Sequence, residues 1–238
     1  MKPITQKILP PFLLEKRRAI IEKKQIISWE IKTIINNLIP EPLLEKRRAI
    51  VEKKELIAWK MQGKPVPPPH RIKELAIEQY QKKRNISILI ETGTFMGDMI
   101  KAQLKNFKTI YSIELGEALW KKAVKRFEKD KHVKIFHGDS GKVFVDLIPK
   151  INEKAIFWLD GHYSGGITAK GEKECPIYEE LDVIFNSKLQ HILLIDDARY
   201  FNGENDFPTI QKLSEYILSR NSKSNIEIKD DIIRIELQ

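Results

Sequence analysis

Acidic residues end three of the apolar runs in the middle of this chain. Glu91 follows Ile-Leu-Ile, Asp160 follows Phe-Trp-Leu, and the pair Asp196-Asp197 follows Leu-Leu-Ile. Carboxylates that converge on one point can bind ligand hydroxyl groups, accept protons or coordinate a hard divalent ion. We therefore expect the chemistry of this chain at the ends of these runs.

The first of these acids opens a turn that contains two glycines. Glu91-Thr-Gly93-Thr-Phe-Met-Gly97 lies between an apolar run and a helical pattern. This order favours a nucleotide ligand, because glycines let the backbone turn sharply and approach the ligand closely. Glu114 ends the next apolar run, near the separation of roughly 20 residues that suits a carboxylate for ribose hydroxyls. The turn and Glu114 together predict a nucleotide site.

Apolar runs and amphipathic stretches alternate through this part of the chain. The predicted strands cover residues 86–90, 109–113, 133–136, 155–159 and 191–195. The predicted helices lie at about 98–106, 116–129, 141–150, 176–187 and 207–220. Two final β-rich runs, 225–229 and 232–237, meet at Asp230-Asp231 and predict an antiparallel hairpin. The pattern is typical of an α/β fold: a Rossmann-like, mainly parallel sheet with helices on both faces and ligands at the carboxyl ends of its strands.

These motifs resemble the class I S-adenosylmethionine-dependent methyltransferases over roughly residues 70–238. The resemblance rests on the glycine turn, the acid after it, a short polar motif and the hairpin: Glu91-x-Gly93-x-x-x-Gly97, Glu114, Gly138-Asp139-Ser140 and residues 225–237. It implies a seven-stranded sheet whose seventh strand comes from the hairpin. It also implies three contacts with the cofactor: Glu91, Gly93 and Gly97 at its methionine end, Glu114 at the ribose, and Asp139 and Ser140 near adenine.

Two further segments resemble the metal-dependent sugar O-methyltransferases of the macrocin O-methyltransferase-like group. They are Leu159-Asp160-Gly-His-Tyr-Ser-Gly-Gly166 and Leu194-Ile-Asp-Asp-Ala-Arg199. The resemblance implies that Asp160, Asp196 and Asp197 bind Mg²⁺ or Mn²⁺, and that the acceptor is a hydroxyl of a sugar or another small molecule. It also puts His162 where related enzymes have a proton acceptor, so that His162 and Asp160 are the predicted catalytic residues.

A metal site is also expected from the residues themselves. If the strands that end at Asp160 and Asp196 are neighbours, their ends lie about 4.8 Å apart. Three carboxylates that close repel one another unless a cation joins them, and oxygen ligands suit Mg²⁺ or Mn²⁺. The alternative is that Asp196 and Asp197 only cap the next loop or helix. For His162, the alternatives to a base are a backbone hydrogen bond and a contact with adenine.

Three other functions fit parts of the sequence. A nicotinamide-dependent dehydrogenase uses a similar turn, but Thr92 and Thr94 flank a single glycine where its fingerprint needs Gly-x-Gly-x-x-Gly. A metal-independent methyltransferase would rely on His162 as its base. A non-catalytic binding or scaffold protein would keep the methyltransferase-like domain without turnover and act through its N-terminal residues.

An internal repeat precedes this region. Residues 9–30 and 39–60 align without a gap, and fourteen of the twenty-two positions are identical. Each copy predicts a helix introduced by prolines, with apolar positions seven residues apart: Leu13, Ile20 and Ile27 in the first, Leu43, Ile50 and Ile57 in the second. We therefore predict a helical extension over 1–64, a proline-rich linker over 65–69 and a methyltransferase domain over 70–238.

The charge of the chain is concentrated in this extension. The first 70 residues hold 15 Lys and Arg against 7 Asp and Glu, which accounts for almost all of the formal net charge of +9. Basic helices with an apolar stripe favour self-association or protein docking through residues 9–62, with an anionic membrane surface as the alternative. Nucleic acid is an unlikely partner, because no binding motif or aromatic platform accompanies the basic runs.

Length and composition set the remaining limits. A chain of 238 residues with 42% hydrophobic residues can bury one sizeable α/β core and a small appendage. Its single cysteine excludes an internal disulfide. Lys7 and Glu15 interrupt the first apolar stretch, and no run approaches the roughly 20 residues of a membrane span. We therefore expect a cytoplasmic protein.

Overall fold

The computed structural model describes residues 39–162 and 173–238. The first repeat copy, with its predicted helix, and the segment after His162 up to residue 172 lie outside the described residues. The chain divides into two compact units, and one boundary between them falls between Lys53 and Lys54. The larger unit holds every strand and all helices of the sheet.

Helices and strands alternate along the described chain. The helices are α1 (Glu41–Met61), α2 (His70–Arg84), α3 (Asp98–Gln103), α4 (Glu117–Arg126), α5 (Ser140–Leu147), α6 (Ile177–Phe185) and α7 (Ile210–Arg220). The strands are β1 (Ile88–Thr92), β2 (Thr109–Glu114), β3 (Val133–His137), β4 (Ala155–Leu159), β5 (Ile192–Ile195), β6 (Asn225–Lys229) and β7 (Ile232–Glu236). Short 3-10 turns follow α5 and β5, at Ile148–Lys150 and Ala198–Tyr200.

The strands form one seven-stranded sheet in the order β3-β2-β1-β4-β5-β7-β6. The first five strands run parallel, and β7 is antiparallel to both β5 and β6. The predicted Rossmann-like sheet with its C-terminal hairpin is therefore confirmed. Strand order reverses between β1 and β4, and ligands of such sheets bind at that switch point, outside the carboxyl ends of the strands.

Side chains of successive strand residues build a core on each face of the sheet. On one face, Phe144 of α5 and Leu181 of α6 pack against Phe157 of β4. On the other face, Ile77 of α2 and Ile100 of α3 join Trp158 of β4. Because residues alternate between faces, Phe157 and Trp158 are both buried although they are neighbours in the chain. These two cores hold the carboxyl ends of β1, β4 and β5 in fixed register.

The second repeat copy is helical, in α1. In the smaller unit, Leu43 and Ile50 of this helix expose 56% and 57% of their surface. In the larger unit, Trp59 is buried, and its Nε1 donates a hydrogen bond to the carbonyl oxygen of Pro65 at 2.7 Å. Among the described residues, none of the helices combines the length and hydropathy that crossing a bilayer requires.

Candidate active site

The glycine turn follows β1 and packs against the end of β4. Gly93 and Gly97 have φ angles of +81° and +76°, a region that favours glycine. A Cβ atom at Gly93 would lie 2.3 Å from the carbonyl oxygen of Asp160, so any other residue would push the turn away from β4. Gly97 is the N-cap of α3, and a Cβ atom there would lie 2.6 Å from the ring of Phe127. Both glycines are thus required by the backbone and by close packing.

Glu91 lies within β1 and not just after it, because its backbone pairs with Ser112 of β2. Its side chain is 2% exposed and accepts a hydrogen bond from the Ser112 hydroxyl at 2.5 Å. Burial raises the pKa of Glu91 to about 8, and the charges of Glu114 and Asp98 add to this increase. The carboxyl group is therefore mostly protonated at neutral pH.

Because its pKa is raised, Glu91 should lower the free energy of unfolding as pH rises, and a Glu91→Gln variant should lack this loss. The folded chain retains a proton that the unfolded chain releases above its ordinary pKa of 4.5, so stability falls as pH rises towards 8. Relative to that of the wild type, the free energy of unfolding of the variant should increase by up to about 1.4 kcal/mol per pH unit between pH 5 and 7. Urea unfolding at both pH values measures it. A Glu215→Gln control, at an exposed site on α7, should follow the wild type, and an equal slope for Glu91→Gln would contradict the prediction.

Glu114 ends β2 and is 5% exposed. One carboxylate oxygen accepts the backbone N–H of Phe95 at 2.7 Å, and the other accepts that of Gly116 at 2.8 Å. Burial raises the pKa of Glu114, although these hydrogen bonds partly offset the increase. Glu114 thus links the glycine turn to the end of β2, where it was predicted to bind a ribose.

Asp139 and Ser140 follow β3 at the start of α5. Asp139 is the N-cap of the helix and accepts the backbone N–H of Lys142 at 3.2 Å. The Ser140 hydroxyl donates to Glu180 of α6 at 2.5 Å. Glu180 is 2% exposed, and burial raises its pKa to about 7. Ser140 therefore has a fixed orientation, set by a buried acid that sequence reasoning missed.

Asp160, His162 and Asp197 form a compact cluster between the ends of β4 and β5. One potential ligand atom from each lies within 4.8 Å of the others. His162 Nε2 is 3.2 Å from Asp197 Oδ2, and His162 Nδ1 is 3.6 Å from Asp160 Oδ1. The two strands are neighbours, with Leu159 opposite Ile195, as the prediction of converging acids required. Asp196 lies outside this group of three.

Positive side chains engage the acids that follow β5. Lys73 of α2 donates from Nζ to Asp196 Oδ2 at 2.5 Å and to Asp197 Oδ1 at 3.1 Å. Arg199 donates to the same Asp197 oxygen at 2.8 Å and also to Asp231 in the β6–β7 hairpin. Asp196 Oδ1 accepts the backbone N–H of Asp197 at 2.8 Å. Both carboxylates therefore have partners on both of their oxygens, because Asp197 Oδ2 faces His162.

The pKa values of Asp160, Asp196 and Asp197 do not all shift in the same direction. Burial, followed by repulsion from Asp196, raises the pKa of Asp160 well above its ordinary value. Burial is also the main reason that the pKa of Asp196 is raised, in spite of Lys73. The pKa of Asp197 is lowered, because the hydrogen bond with His162 and the nearby positive charges outweigh its burial. Asp160 and Asp196 therefore resist ionisation in this buried position, and a further cation beside them would favour their ionised forms.

The segment after β5 covers His162 with aromatic rings. The imidazole centroid lies 5.5 Å from the ring of Phe207 and 6.1 Å from that of Tyr200, both edge-on. Its side chain is 5% exposed, whereas Tyr200 is 43% exposed. The contact with Asp197 suits a proton on Nε2, which would leave Nδ1 as the acceptor nitrogen. This contact and the two rings hold His162 in one orientation.

Lys73 and Glu180 are the site residues that sequence reasoning missed. Lys73 lies 123 positions before Asp196 in an amphipathic helix, and no motif marks it. Glu180 follows the predicted adenine-proximal Ser140 by 40 positions. Only the packing of α2 and α6 on opposite faces of the sheet brings these side chains to the strand ends, and no spacing in the sequence gives that packing.

Comparison with known proteins gives matches in structure and none in sequence. No protein-family model and no curated protein matches the chain. A putative caffeoyl-CoA O-methyltransferase from Staphylococcus aureus superposes with a TM-score of 0.52 at 15% identity, over 92% of this chain and 99% of its own. The O-methyltransferase TomG from Streptomyces achromogenes, in complex with S-adenosylmethionine, gives 0.51 at 14% identity over 78% and 87%.

A third solved structure has the same architecture. An O-methyltransferase from Bacillus cereus, in complex with S-adenosylhomocysteine, superposes with a TM-score of 0.51 at 10% identity, over 78% of this chain and 90% of its own. Identities this low establish the shared fold and do not transfer an activity. The described part of the chain therefore has the Rossmann-like methyltransferase fold, with a seven-stranded sheet that ends in an antiparallel hairpin.

Proposed function

We propose that this protein is an S-adenosylmethionine-dependent O-methyltransferase. The observation that carries the proposal is the packing of the glycine turn against the end of β4, where Gly93 abuts the carbonyl of Asp160. The glycine turn, which is predicted to bind the methyl donor, is therefore next to Asp160, one of the acids predicted to bind the metal ion. Methyl transfer requires donor and acceptor to be held side by side in this way. Its fold, shared with the O-methyltransferases from S. aureus and B. cereus, supports the same reaction.

Residues at the ends of β1, β2 and β3 suit the donor. When bound, S-adenosylmethionine supplies an electrophilic methyl group on a positively charged sulfur. Each oxygen of Glu114 accepts a backbone N–H, and a carboxylate oxygen accepts more than one hydrogen bond, so Glu114 is suited to accept from ribose hydroxyls as well. The turn at Gly93 and Gly97, next to Glu91, would bind the methionine end of the cofactor. Asp139 and Ser140, which follow β3, would lie near its adenine.

The three acids that follow β4 and β5 suit a divalent ion. We infer that Asp160, Asp196 and Asp197 bind Mg²⁺ or Mn²⁺, because their donor atoms are oxygens at one end of two neighbouring strands. Burial, with repulsion among the acids, raises the pKa values of Asp160 and Asp196, and a bound cation would favour their ionised forms. Such an ion orients acceptor oxygens and lowers the pKa of a hydroxyl.

The acceptor is proposed to be a hydroxyl of a sugar or another small molecule. His162 Nδ1, which faces Asp160, would take the hydroxyl proton as methyl transfer proceeds, while Asp197 stabilises the imidazolium that forms. Tyr200 adds an exposed ring beside His162, and such a ring packs against the apolar face of a sugar or an aromatic acceptor. This assignment keeps the macrocin-like group as the proposed relationship.

Incubation with methyl-labelled S-adenosylmethionine tests this function. A panel of hydroxylated sugars and catechols would be offered with Mg²⁺, and again with a chelator. Label transfer that requires Mg²⁺ is the expected result. Transfer that persists in the chelator would replace the metal-assisted mechanism with the metal-independent one through His162. If S-adenosylmethionine binds but no acceptor in a broad panel is labelled, the scaffold alternative gains support.

The basic extension is proposed to mediate self-association or protein docking through residues 9–62. In the described part of the second copy, Leu43 and Ile50 expose apolar surface at a spacing of seven residues. The larger unit begins at Lys54, so a chain that starts there retains Trp59 and its bond to Pro65. We expect that chain to fold and bind S-adenosylmethionine, and to lose association in sedimentation measurements. Loss of folding would contradict a separable extension, and unchanged association would place the contact elsewhere.

A further inference from the structure

Lys73 makes an ion pair that the proposed function does not use. Its side chain is 15% exposed and reaches from the first turns of α2 to the end of β5, where the side chains of Asp196 and Asp197 are 1% and 11% exposed. Docking of α2 does not depend on this pair alone, because Ala76, Ile77 and Tyr80 of the same helix are buried in the core. The ion pair is therefore available for a role in the proposed metal site.

The oxygen atoms of Asp196 define that role. Oδ1 accepts the backbone N–H of Asp197 at 2.8 Å, within the turn that follows β5. Oδ2 is held by the Lys73 ammonium at 2.5 Å. A divalent ion that coordinates Asp196 through Oδ2 would meet the Lys73 ammonium on that oxygen. An ion and an ammonium on the same oxygen would repel each other strongly at that separation.

We propose that Lys73 is a resident cation that competes with the divalent ion for Asp196 Oδ2 and Asp197. This inference rests on the proposed metal-assisted function and deepens it. In the ion-free protein, Lys73 and Arg199 stabilise carboxylates that would otherwise repel one another. Ion binding then requires the ammonium to leave Asp196, and this exchange lowers the affinity of the site for the ion. Lys73 thereby sets the ion concentration at which the site fills.

Titration of the full-length chain with Mn²⁺ in a calorimeter, without cofactor, tests the inference. Lys73→Met removes the charge and keeps most of the length of the side chain. Its affinity for Mn²⁺ should exceed that of the wild type on the order of tenfold or more, because the ion no longer displaces an ammonium. Lys73→Arg, which retains the charge, should stay close to the wild type.

Lys82→Met is the matched control. Lys82 lies on the same helix, its side chain is 70% exposed, and it pairs with Glu78 at 3.6 Å. Its substitution removes the same charge from α2 and should leave Mn²⁺ affinity unchanged. Lys73→Gln is the second test variant if Lys73→Met yields little folded chain, since its amide keeps a hydrogen bond to Asp196. A purely structural role for Lys73 would lower stability in these variants without tightening Mn²⁺ binding.

The outcomes separate the two proposals. Tighter Mn²⁺ binding in the neutral Lys73 variants supports the competition. Equal or weaker binding in those variants, while the wild type binds Mn²⁺, overturns the competition and leaves the metal site intact. Failure of the wild type and of every variant to bind Mn²⁺ overturns both the competition and the metal-assisted mechanism. S-adenosylmethionine binding, measured on the same samples, reports separately on the proposed cofactor site.

Discussion

Asp160→Asn is expected to weaken Mn²⁺ binding by at least about tenfold and to raise the thermal midpoint of the ion-free protein. Both effects follow from replacing an ionisable carboxyl with a neutral amide: the ion loses a charged ligand, and the ion-free protein no longer buries a carboxyl whose pKa is raised. Asp160 is a ligand in the set that the sequence predicts and a member of the compact cluster with His162 and Asp197. Repulsion from Asp196 is also one of the causes that raise its pKa, so the neutral amide relieves that repulsion.

Calorimetry with Mn²⁺ and thermal unfolding with and without it measure both changes. Mn²⁺ should raise the midpoint of the wild type by mass action and should do little for Asp160→Asn. Asp146→Asn, an exposed site on α5, is the control and should match the wild type. A variant that binds Mn²⁺ as tightly as the wild type would remove Asp160 from the site, and a lower ion-free midpoint would show that the Asp160 carboxyl stabilises the ion-free fold.

Glu114→Gln is the second variant with a large expected effect. It should weaken S-adenosylmethionine binding by about 1.5–3 kcal/mol, because ribose hydroxyls lose a charged acceptor. Gln keeps the shape and one acceptor oxygen, but its amide nitrogen accepts no hydrogen bond, so one of the N–H groups of Phe95 and Gly116 loses its partner. Part of the loss therefore comes from the glycine turn, which Glu114 ties down through Phe95. The change is measured by calorimetric titration with S-adenosylmethionine.

Glu117→Gln provides the matched control for this titration. Glu117 lies three residues further on, at the exposed start of α4, and pairs with Lys121 at 2.6 Å. It loses the same charge in the same segment, and its cofactor affinity should equal that of the wild type. If Glu114→Gln is folded and binds as tightly as the control, Glu114 does not contact the ribose.

The fold could be predicted because each strand buries a short apolar run and each intervening helix has an apolar face. The seven strands lie where the runs were found, and the hairpin turns at Asp230-Asp231, both with positive φ. The limits of the strands differ in places from the prediction. β1 was predicted to end at residue 90, yet it continues to Thr92, because Glu91 and Thr92 pair with Ser112 and Ile113 of β2. Because Glu91 and Thr92 are polar, a strand predicted from an apolar run ends before them.

The site could be predicted only in part. Acids at strand ends are visible in the sequence, since parallel strands align their carboxyl ends at one edge of the sheet. Contacts from the helices are not visible in this way. Lys73 holds Asp196 and Glu180 holds Ser140, and both depend on how α2 and α6 pack on the sheet. The metal ligands, the base role of His162 and the domain limits at 64 and 69 remain predictions.

Calorimetric titration of the wild-type chain with S-adenosylmethionine, in the presence of Mg²⁺, tests the central claim most directly. The glycine turn, Glu114 and the neighbouring acid cluster predict saturable binding at one site per chain, and no binding of a nicotinamide dinucleotide under the same conditions. Absence of S-adenosylmethionine binding by the folded chain, or saturable binding of the dinucleotide in its place, would contradict the account.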